Sequence, residues 1–148
     1  MSDATPVPIR TASVAETEAV ALRLASRLDR GGVIALEGDL GAGKTQFVRG
    51  LVSGLGGEPR QVHSPTFVLL HEYACAGGRR VFHLDAYRVG ADEFEAIGFD
   101  ELLAAAEAGD VVAVEWPQKV AELIPERAIH VRIETVSETE RLIHVSGG

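Results

Sequence analysis

The spacing of apolar residues near the start of the chain predicts an amphipathic helix followed by a buried strand. Three apolar side chains recur on one helical face before Arg30: Val20, Leu24 and Leu28. Ser13 and Glu16 have the spacing of a capping box at the start of this helix, and Gly31-Gly32 would end it. The uninterrupted apolar run at residues 33–36 then has the pattern of a strand buried on both faces.

The next part of the chain predicts a second helix and an antiparallel pair of strands. Residues 44–55 carry an apolar stripe at helical spacing, made of Phe47, Leu51 and Leu55. Residues 67–73 have strong strand propensity, residues 74–79 predict a hairpin turn, and residues 81–84 form a return strand that ends on Asp85. The predicted sheet therefore contains an antiparallel pair.

The remaining segments continue the alternation of helices and strands. They are, in order, short helices at residues 92–97 and 100–106, a strand at 111–114, a helical turn at 118–123 and a terminal hairpin of residues 128–134 and 141–146. Residues 1–9 show little periodicity, and we expect a mobile tail or an edge strand there. The pattern as a whole favours an α/β fold with a mixed sheet.

The composition supports one α/β domain spanning residues 1–148. A chain of 148 residues can bury a core of its own, and we expect no second domain. Hydrophobic residues make up 46% of the chain and aromatic residues only 5%, so Val, Ile, Leu and Ala must build most of that core.

Charge and targeting patterns indicate which partners and which cellular compartment to expect. A net charge of −8 and a pI near 5.1 argue against a broad nucleic-acid surface and against DNA binding, since the 14 Lys and Arg residues are scattered. Cys75 is the only cysteine and cannot form an internal disulfide, which suits a reducing cytoplasm. No apolar run approaches a membrane span, and no basic segment followed by an apolar one opens the chain. We therefore expect a soluble, cytoplasmic protein that does not bind membranes.

The strongest chemical signal follows the first predicted strand. Eight residues match the phosphate-binding P-loop pattern G-x-x-x-x-G-K-S/T, reading Gly38-Asp39-Leu40-Gly41-Ala42-Gly43-Lys44-Thr45. The three glycines would let the backbone turn so that N–H groups point at a β-phosphate above a helix N-terminus. Lys44 would reach the β- and γ-phosphates, and the Thr45 hydroxyl would bind Mg²⁺. A glycine-rich turn without function is the alternative, but strand, turn and helix fall in the order that the chemistry requires.

Asp85 and Glu115 are the candidate acidic partners of this loop. Each directly follows an apolar strand, and open α/β sheets gather ligand-binding groups at such strand ends. If both strands flank the P-loop strand, both carboxylates reach the metal side of the phosphates, where Mg²⁺ needs oxygen ligands. A capping or surface role is the alternative for either residue taken alone.

Three further residues have two open interpretations each. Thr66 lies in a Ser-Pro-Thr turn and could sense a γ-phosphate and its metal, or simply belong to the turn. Trp116 adjoins Glu115 and could lie near the nucleotide, or only pack. Arg88 could touch phosphate or a partner, although a surface ion pair is the interpretation we favour. The histidines show no ligand spacing and are expected to be structural: His63, His71, His83, His130 and His144.

The subclass of nucleotide-binding protein is narrowed by motifs that the chain lacks. It contains no asparagine and no T-K-x-D, so a guanine-recognition motif is missing, and no D-x-x-G follows either candidate acidic strand. These absences argue against a GTPase. A small-metabolite kinase stays open as an alternative, although the short chain shows no arginine-rich lid. A nucleotide-gated binding module with negligible turnover is the other alternative.

Four ordered motifs resemble the bacterial TsaE (YjeE) family. They are residues 38–45 and the segments His63-Ser64-Pro65-Thr66-Phe67, His83-Leu84-Asp85-Ala86-Tyr87-Arg88 and Val114-Glu115-Trp116-Pro117. The resemblance runs from about Ser13 to Ile133. It implies a three-layer P-loop NTPase-like sandwich with a mixed, mainly parallel central sheet. It also implies an ATPase that uses ATP and Mg²⁺ for threonylcarbamoyladenosine modification of the tRNA adenosine next to the anticodon.

The resemblance also implies partners and residue roles. The chain would bind a heterodimer of the TsaD and TsaB proteins and contact tRNA only indirectly. The implied catalytic residues are Lys44, Asp85, Glu115 and Thr66, and the implied metal ligands are Thr45, Glu115 and Asp85. The implied nucleotide-binding residues are Gly38, Asp39, Leu40, Gly41, Ala42, Gly43, Lys44, Thr45, Gln46 and Trp116. Two positions depart from the family pattern without removing a required ligand, and they bear on local geometry and rate: Gln46 and Ala86.

Overall fold

A central β-sheet organises the chain. The computed structural model describes residues 7–63 and 69–147. In chain order, the described α-helices and β-strands are β1 (Ile9–Thr11), α1 (Val14–Leu24), β2 (Gly32–Glu37), α2 (Lys44–Gly54), β3 (Leu70–Ala74), β4 (Arg80–Asp85), α3 (Ala91–Ala96), α4 (Phe99–Glu107), β5 (Val111–Glu115), β6 (Ile129–Thr135) and β7 (Arg141–Gly147). The strands form one seven-stranded sheet in the order β1-β7-β6-β2-β5-β4-β3.

The sheet is mixed, with its parallel strands at the centre. β2 pairs in parallel with β5 and β6, and β4 pairs in parallel with β5. The antiparallel strands lie further out: β3 on β4, β7 on β6 and β1 on β7. Because β1 is antiparallel to an antiparallel strand, β3 and β7 are the two described strands that run against the others. The predicted mixed, mainly parallel sheet is confirmed.

Helices cover both faces of this sheet and give it two cores. β2 contributes to both, since successive side chains of a strand point to opposite faces. Ile34 and Leu36 pack with α1 and α2 on one face, whereas Val33 packs with Phe94 of α3 and Phe99 of α4 on the other. The burial on both faces explains the continuous apolar run of β2 and confirms the three-layer sandwich.

The first helix starts as predicted but ends earlier. Ser13 Oγ accepts a hydrogen bond from the Glu16 N–H at 3.1 Å, whereas Glu16 Oε1 accepts from the Ala12 N–H at 2.7 Å instead of from Ser13. The α-helix ends at Leu24, and a 3-10 helix continues it from Ala25 to Leu28. The helical prediction through Arg30 was therefore slightly too long.

The chain ends and the hairpins follow the sequence pattern with small shifts. Ile9 lies in an edge strand, as one of the two expectations for residues 1–9 required, and residues 1–6 lie outside the described residues. β3 begins at Leu70, while Phe67 and Val68 of the predicted strand also lie outside the described residues. Within the described part of the chain, no helix has the length and apolar character needed to span a membrane.

The contact between α1 and α2 fixes the position of the P-loop helix. Gly50 lies where α2 crosses α1, and a Cβ atom at this position would lie 2.2 Å from the backbone oxygen of Glu18. Backbone atoms of a packed helix cannot turn aside as a flexible side chain can. A larger residue at position 50 must therefore push the two helices apart and move the start of α2 at Lys44.

We expect Gly50→Ala to lower the free energy of unfolding by about 2 kcal/mol. Overpacking a close contact costs up to about 3 kcal/mol, and the better helix propensity of Ala offsets about 1 kcal/mol of it. Urea unfolding of both proteins measures the difference. The control is Ser53→Ala on the exposed side of the same helix. Equal stability of Gly50→Ala and the wild type would contradict the close approach of the two helices.

Candidate functional site

The loop between β2 and α2 needs its glycines for two different reasons. Gly41 and Gly43 have φ angles of 81° and 109°, which residues with side chains rarely adopt. Gly38 is not in that region, but a Cβ atom there would lie 2.9 Å from the backbone oxygen of Ile133 on β6. Gly41 and Gly43 therefore permit the turn, and Gly38 permits the loop to pass close to β6.

The N-terminal end of α2 presents backbone donors and no acidic side chain. Gly43 is the N-cap and offers no side chain to the helix, and the first helical bond joins the Phe47 N–H to Gly43 O at 2.9 Å. The N–H groups of Lys44, Thr45 and Gln46 therefore have no partner within the helix. With no acidic residue in its own first turn, the helix does not itself neutralise the positive end of its dipole. Such a helix end is suited to bind an anion.

The Lys44 ammonium group lies at the centre of the site. Its Nζ donates a hydrogen bond to Gly38 O at 2.6 Å, lies 3.9 Å from Glu115 Oε1, and lies 4.0 Å from the centre of the Trp116 ring. The residue is only 5% exposed. Burial lowers the pKa of Lys44, and the carboxylate of Glu115 opposes that shift. A carbonyl, a carboxylate and an aromatic face thus surround the predicted phosphate-binding lysine.

The two candidate acids lie side by side at the ends of β4 and β5. Asp85 is in register with Glu115, which is in register with Leu36 of β2. Both acidic residues are buried. Of the two strands that end in these acids, β5 borders the P-loop strand β2, whereas β4 lies one strand further out. The expectation that both strands flank the P-loop strand therefore holds for the strand of Glu115 and not for that of Asp85. Asp85 also accepts the Tyr87 N–H at 2.8 Å, so it contributes to the turn after β4 as well.

Trp116 closes the site from the side of β5. Its backbone is left-handed, with φ 58° and ψ 48°, which is uncommon for a residue with a large side chain. The Trp116 N–H donates to Leu36 O at 3.3 Å, and its ring packs against Tyr87 with 4.9 Å between the ring centres. Together with the Lys44 contact, this geometry places Trp116 beside the P-loop lysine and packs it on Tyr87, so both of its interpretations stay open.

Two adjoining cavities meet at the loop. A cavity of about 240 Å³ lies over the start of α2 and is lined by Lys44, Thr45, Glu115 and Trp116, among others. A cavity of about 320 Å³ lies on the other side of the loop, where Ser13 and Thr17 of the α1 region face the start of β7. Both cavities share Gly41, Gly43 and Gln46. The two spaces can therefore hold two parts of one elongated ligand.

Arg141 supports the loop from the far end of the chain. Its Nε donates to Ala42 O at 2.8 Å, one terminal nitrogen lies 3.3 Å from Gly41 O, and the other donates to Ser137 O at 2.8 Å. Sequence reasoning missed this residue. It lies 99 positions from Ala42, and no motif or spacing in the terminal hairpin indicates a contact with the loop.

His83 is the second residue that sequence reasoning did not assign to the site. Its side chain is fully buried, and Nε2 lies 2.6 Å from Glu115 Oε2 while Nδ1 lies 2.9 Å from the Tyr73 hydroxyl. The expectation of a structural histidine was incomplete, because this ring contacts a candidate catalytic acid. One signal was available. His83 is a polar residue inside an apolar strand and, two positions before Asp85, points to the same face.

The remaining predicted site residues divide into described and undescribed positions. Asp39 and Leu40 lie on the exposed part of the loop, and Gln46 lines both cavities. Ala86 is buried and donates its N–H to Glu115 O at 3.0 Å, so this small residue fits the strand end. Arg88 is exposed and keeps both of its interpretations. Thr66 lies outside the described residues, and its role stays a prediction.

Comparison with known proteins identifies the family. Residues 11–143 match the family model of the threonylcarbamoyl adenosine biosynthesis protein TsaE. This chain belongs to the TsaE family. The tRNA threonylcarbamoyladenosine biosynthesis protein TsaE of Bacillus subtilis is 40% identical over 134 residues, which cover 90% of this chain and 81% of that protein. The TsaE protein of Treponema pallidum is 36% identical over 120 residues, or 80% and 84% of the two chains.

A solved structure extends the likeness to the fold. The crystal structure of Bacillus subtilis YdiB superposes with a TM-score of 0.74 at 31% identity and covers 99% of this chain and 90% of the other. The resemblance drawn from four motifs is confirmed over nearly the whole chain. As a TsaE family member, the protein takes part in threonylcarbamoyladenosine biosynthesis on tRNA.

The position of Trp116 gives a direct optical test of the site. Trp116 is the only tryptophan, so all indole emission reports on the surroundings of the Lys44 ammonium. We expect ADP to change this emission by roughly 20% or more, because a phosphate that binds Lys44 removes its cation–π contact with the ring. Fluorescence titration with ADP measures the change, and Lys44→Ala is the control that should show none. A flat titration with ADP shown to be bound by calorimetry would contradict this arrangement.

Proposed function

We propose that this TsaE family member is a Mg²⁺-dependent ATPase that supports tRNA modification through a complex of the TsaD and TsaB proteins. The observation that carries the proposal is the buried meeting of Lys44 with Glu115 at the N-terminal end of α2. A phosphate-binding helix end, a lysine and an acid on the neighbouring strand are the parts that a P-loop nucleotide hydrolase combines.

The phosphates are assigned to the cavity over the start of α2. The backbone N–H groups of Lys44, Thr45 and Gln46 would donate to phosphate oxygens, and the Lys44 ammonium would exchange Gly38 O for a charged oxygen. Hydrogen bonds between an ammonium and a phosphate are stronger than those to a neutral carbonyl. The exchange therefore favours a bound phosphate group.

The base and ribose are assigned to the cavity between the α1 region and the start of β7. Its volume of about 320 Å³ lies within the usual range of small-molecule sites. Ala12 and Val14 give it apolar surface, and Ser13 and Thr17 give it hydroxyl groups. Arg141 holds the loop between the two cavities through Ala42 O and Gly41 O. A single nucleotide can span both spaces because they share the loop.

The residues present suit a magnesium ion. The Thr45 hydroxyl and the carboxylates of Glu115 and Asp85 offer the hard oxygen ligands that Mg²⁺ prefers, and the two acids lie in register on neighbouring strands. When bound, Mg²⁺ would neutralise charge on the phosphates. Glu115, whose strand borders the loop, would orient the attacking water, and Asp85 would support the ligand set from β4.

The same site contains few groups to stabilise the transition state. The cavity over the start of α2 is lined by Lys44 as its one cationic side chain among the described residues, and by no arginine. An arginine supplied by a partner raises hydrolysis by about 10³- to 10⁵-fold in other P-loop proteins. This composition supports slow hydrolysis alone and faster hydrolysis with partners. The net charge of −8 agrees with a protein that contacts tRNA only indirectly.

A phosphate-release assay with ATP and Mg²⁺ tests the proposal. We expect slow release by the chain alone and at least roughly tenfold faster release with the TsaD and TsaB proteins, because partners would supply the missing stabilisation. Release that is fast and insensitive to these partners would contradict the proposed coupling. Phosphate transfer to a metabolite would instead identify a kinase, and tight ATP binding without release or transfer would identify a binding module.

The role of Glu115 is tested in the same assay. We expect Glu115→Gln to lower Mg²⁺-dependent release about 100-fold, because the neutral amide neither binds the metal as strongly nor orients the water. ADP affinity should change less than about threefold, because the phosphate contacts of α2 remain. The matched control is Glu107→Gln, an exposed acid on α4 that pairs with Arg127. Undiminished hydrolysis by Glu115→Gln would transfer the proposed role to Asp85.

A further inference from the structure

A chain of hydrogen bonds runs beneath Glu115 through the interior of the protein. The His63 N–H lies 3.4 Å from the Tyr73 hydroxyl oxygen, the hydroxyl lies 2.9 Å from His83 Nδ1, and His83 Nε2 lies 2.6 Å from Glu115 Oε2. Tyr73 and His83 are both buried. The phosphate-site chemistry described so far uses neither side chain.

With His83 neutral and its hydrogen on Nε2, the donors of this hydrogen-bond chain point toward Glu115. A carboxylate only accepts hydrogen bonds, so His83 Nε2 must carry the hydrogen of the 2.6 Å bond. When the ring is neutral, Nδ1 is then an acceptor, and the Tyr73 hydroxyl can donate to it or to His63 O. The hydroxyl has one hydrogen, and its contact with Nδ1 is shorter than its 3.2 Å contact with His63 O. Hydrogen bonds aligned in one direction strengthen one another.

The two carboxylate oxygens of Glu115 contact different groups. His83 engages Oε2, while Oε1 faces Lys44 Nζ at 3.9 Å. The fully buried imidazole cannot turn away without leaving two polar atoms unsatisfied in the core. This constraint fixes the orientation of the carboxylate and keeps Oε1 directed into the cavity over α2.

The end of this hydrogen-bond chain at His63 is also anchored. Arg49 on α2 directs Nε and one terminal nitrogen at Val62 O, at 3.3 Å and 3.2 Å. Val62 precedes His63, so α2 holds the backbone that donates to Tyr73. The anchor therefore connects Glu115 to the same helix whose N-terminal end carries Lys44.

We propose that Tyr73 and His83 are positioning residues, which hold Glu115 with Oε2 bound to the imidazole and Oε1 presented to the P-loop. This inference rests on the proposed ATPase activity for its kinetic consequence but not for its structural one. A histidine that merely fills the core would tolerate any substitution of similar size and polarity. A positioning histidine requires a donor at the place of Nε2.

The structural part is tested by NMR of the full chain with ¹⁵N-labelled histidine. We expect the His83 ring to show a slowly exchanging Nε2–H and an unprotonated Nδ1, assigned by the loss of the signal in His83→Gln. Tyr73→Phe should shift the Nδ1 signal, and Glu115→Gln should shift the Nε2–H signal. An Nδ1–H tautomer, or signals insensitive to both substitutions, would overturn the proposal whether or not the protein hydrolyses ATP.

The kinetic part compares two substitutions of His83. The amide nitrogen of Gln can take the place of Nε2 and donate to Glu115, whereas the amide of Asn is too short to reach it. Ligand-orienting partners in metal sites typically contribute about 10- to 100-fold, so we expect His83→Asn to lower kcat about 30-fold and His83→Gln only about threefold. KM for ATP should change less than about twofold in both, because the phosphate contacts remain.

The matched control is His144→Gln. His144 also pairs with a glutamate, Glu134, at 3.1 Å, but on strands β7 and β6, on the other side of β2 from β4 and β5. The His144→Gln variant should hydrolyse ATP at the wild-type rate. Equal losses in His83→Asn and His83→Gln, with both proteins folded by circular dichroism, would show a packing role and overturn the proposal. If the wild-type protein hydrolyses no ATP under any condition, the ATPase proposal is contradicted. The NMR signals alone then decide whether Tyr73 and His83 position Glu115.

Tyr73→Phe keeps the ring and removes only the hydroxyl, so it tests the chain even if His83 variants fail to fold. We expect it to lower kcat about fivefold, because loss of the Tyr73 donor frees the imidazole to turn. In the double variant Tyr73→Phe with His83→Gln, the loss of kcat should be close to that of the slower single variant. It should be smaller than the product of the two single losses, because both substitutions interrupt the same hydrogen-bond chain. Multiplied losses, or an unchanged kcat in Tyr73→Phe, would overturn the proposal.

Discussion

The site depends on one buried ammonium group. Lys44 lies at the start of α2, where Gly38 O, Glu115 Oε1 and the Trp116 ring surround its Nζ. Burial of a charge is costly unless partners compensate for the lost water, and the neighbouring carboxylate supplies that compensation. The carbonyl contact comes from the P-loop itself, so the lysine and the loop hold each other in shape. The phosphate-binding arrangement is thus largely preformed.

The fold places these partners through strand order and packing. Parallel strands end at the same edge of a sheet, and β2, β5 and β4 therefore bring the P-loop, Glu115 and Asp85 to one edge. The close contact of α1 and α2 at Gly50 sets where Lys44 begins the helix. Beneath this edge, the Tyr73 and His83 side chains replace apolar packing with hydrogen bonds. We infer that this polar interior serves the orientation of Glu115 and not stability alone.

Much of this could be predicted from local patterns along the chain. The P-loop, the strands before Asp85 and Glu115, and the hairpins depend on residues close in sequence, and the structure confirms these elements. Strand order could not be predicted in this way, because pairing of β5 with β2 joins residues far apart. Arg141 was missed for the same reason. His83 was missed because its alternation matches a core residue, and only the register of β4 with β5 reveals its contact with Glu115.

The central claim is that Lys44 and Glu115 form a preformed site for the phosphates of ATP. A crystal structure of the protein with a non-hydrolysable ATP analogue and Mg²⁺ tests it most directly. The account predicts the phosphates over the start of α2, Lys44 Nζ moved from Gly38 O to a phosphate oxygen, and Glu115 facing the metal with its bond to His83 retained. An analogue bound away from the loop, or Lys44 still bonded to Gly38 O beside a bound nucleotide, would contradict it.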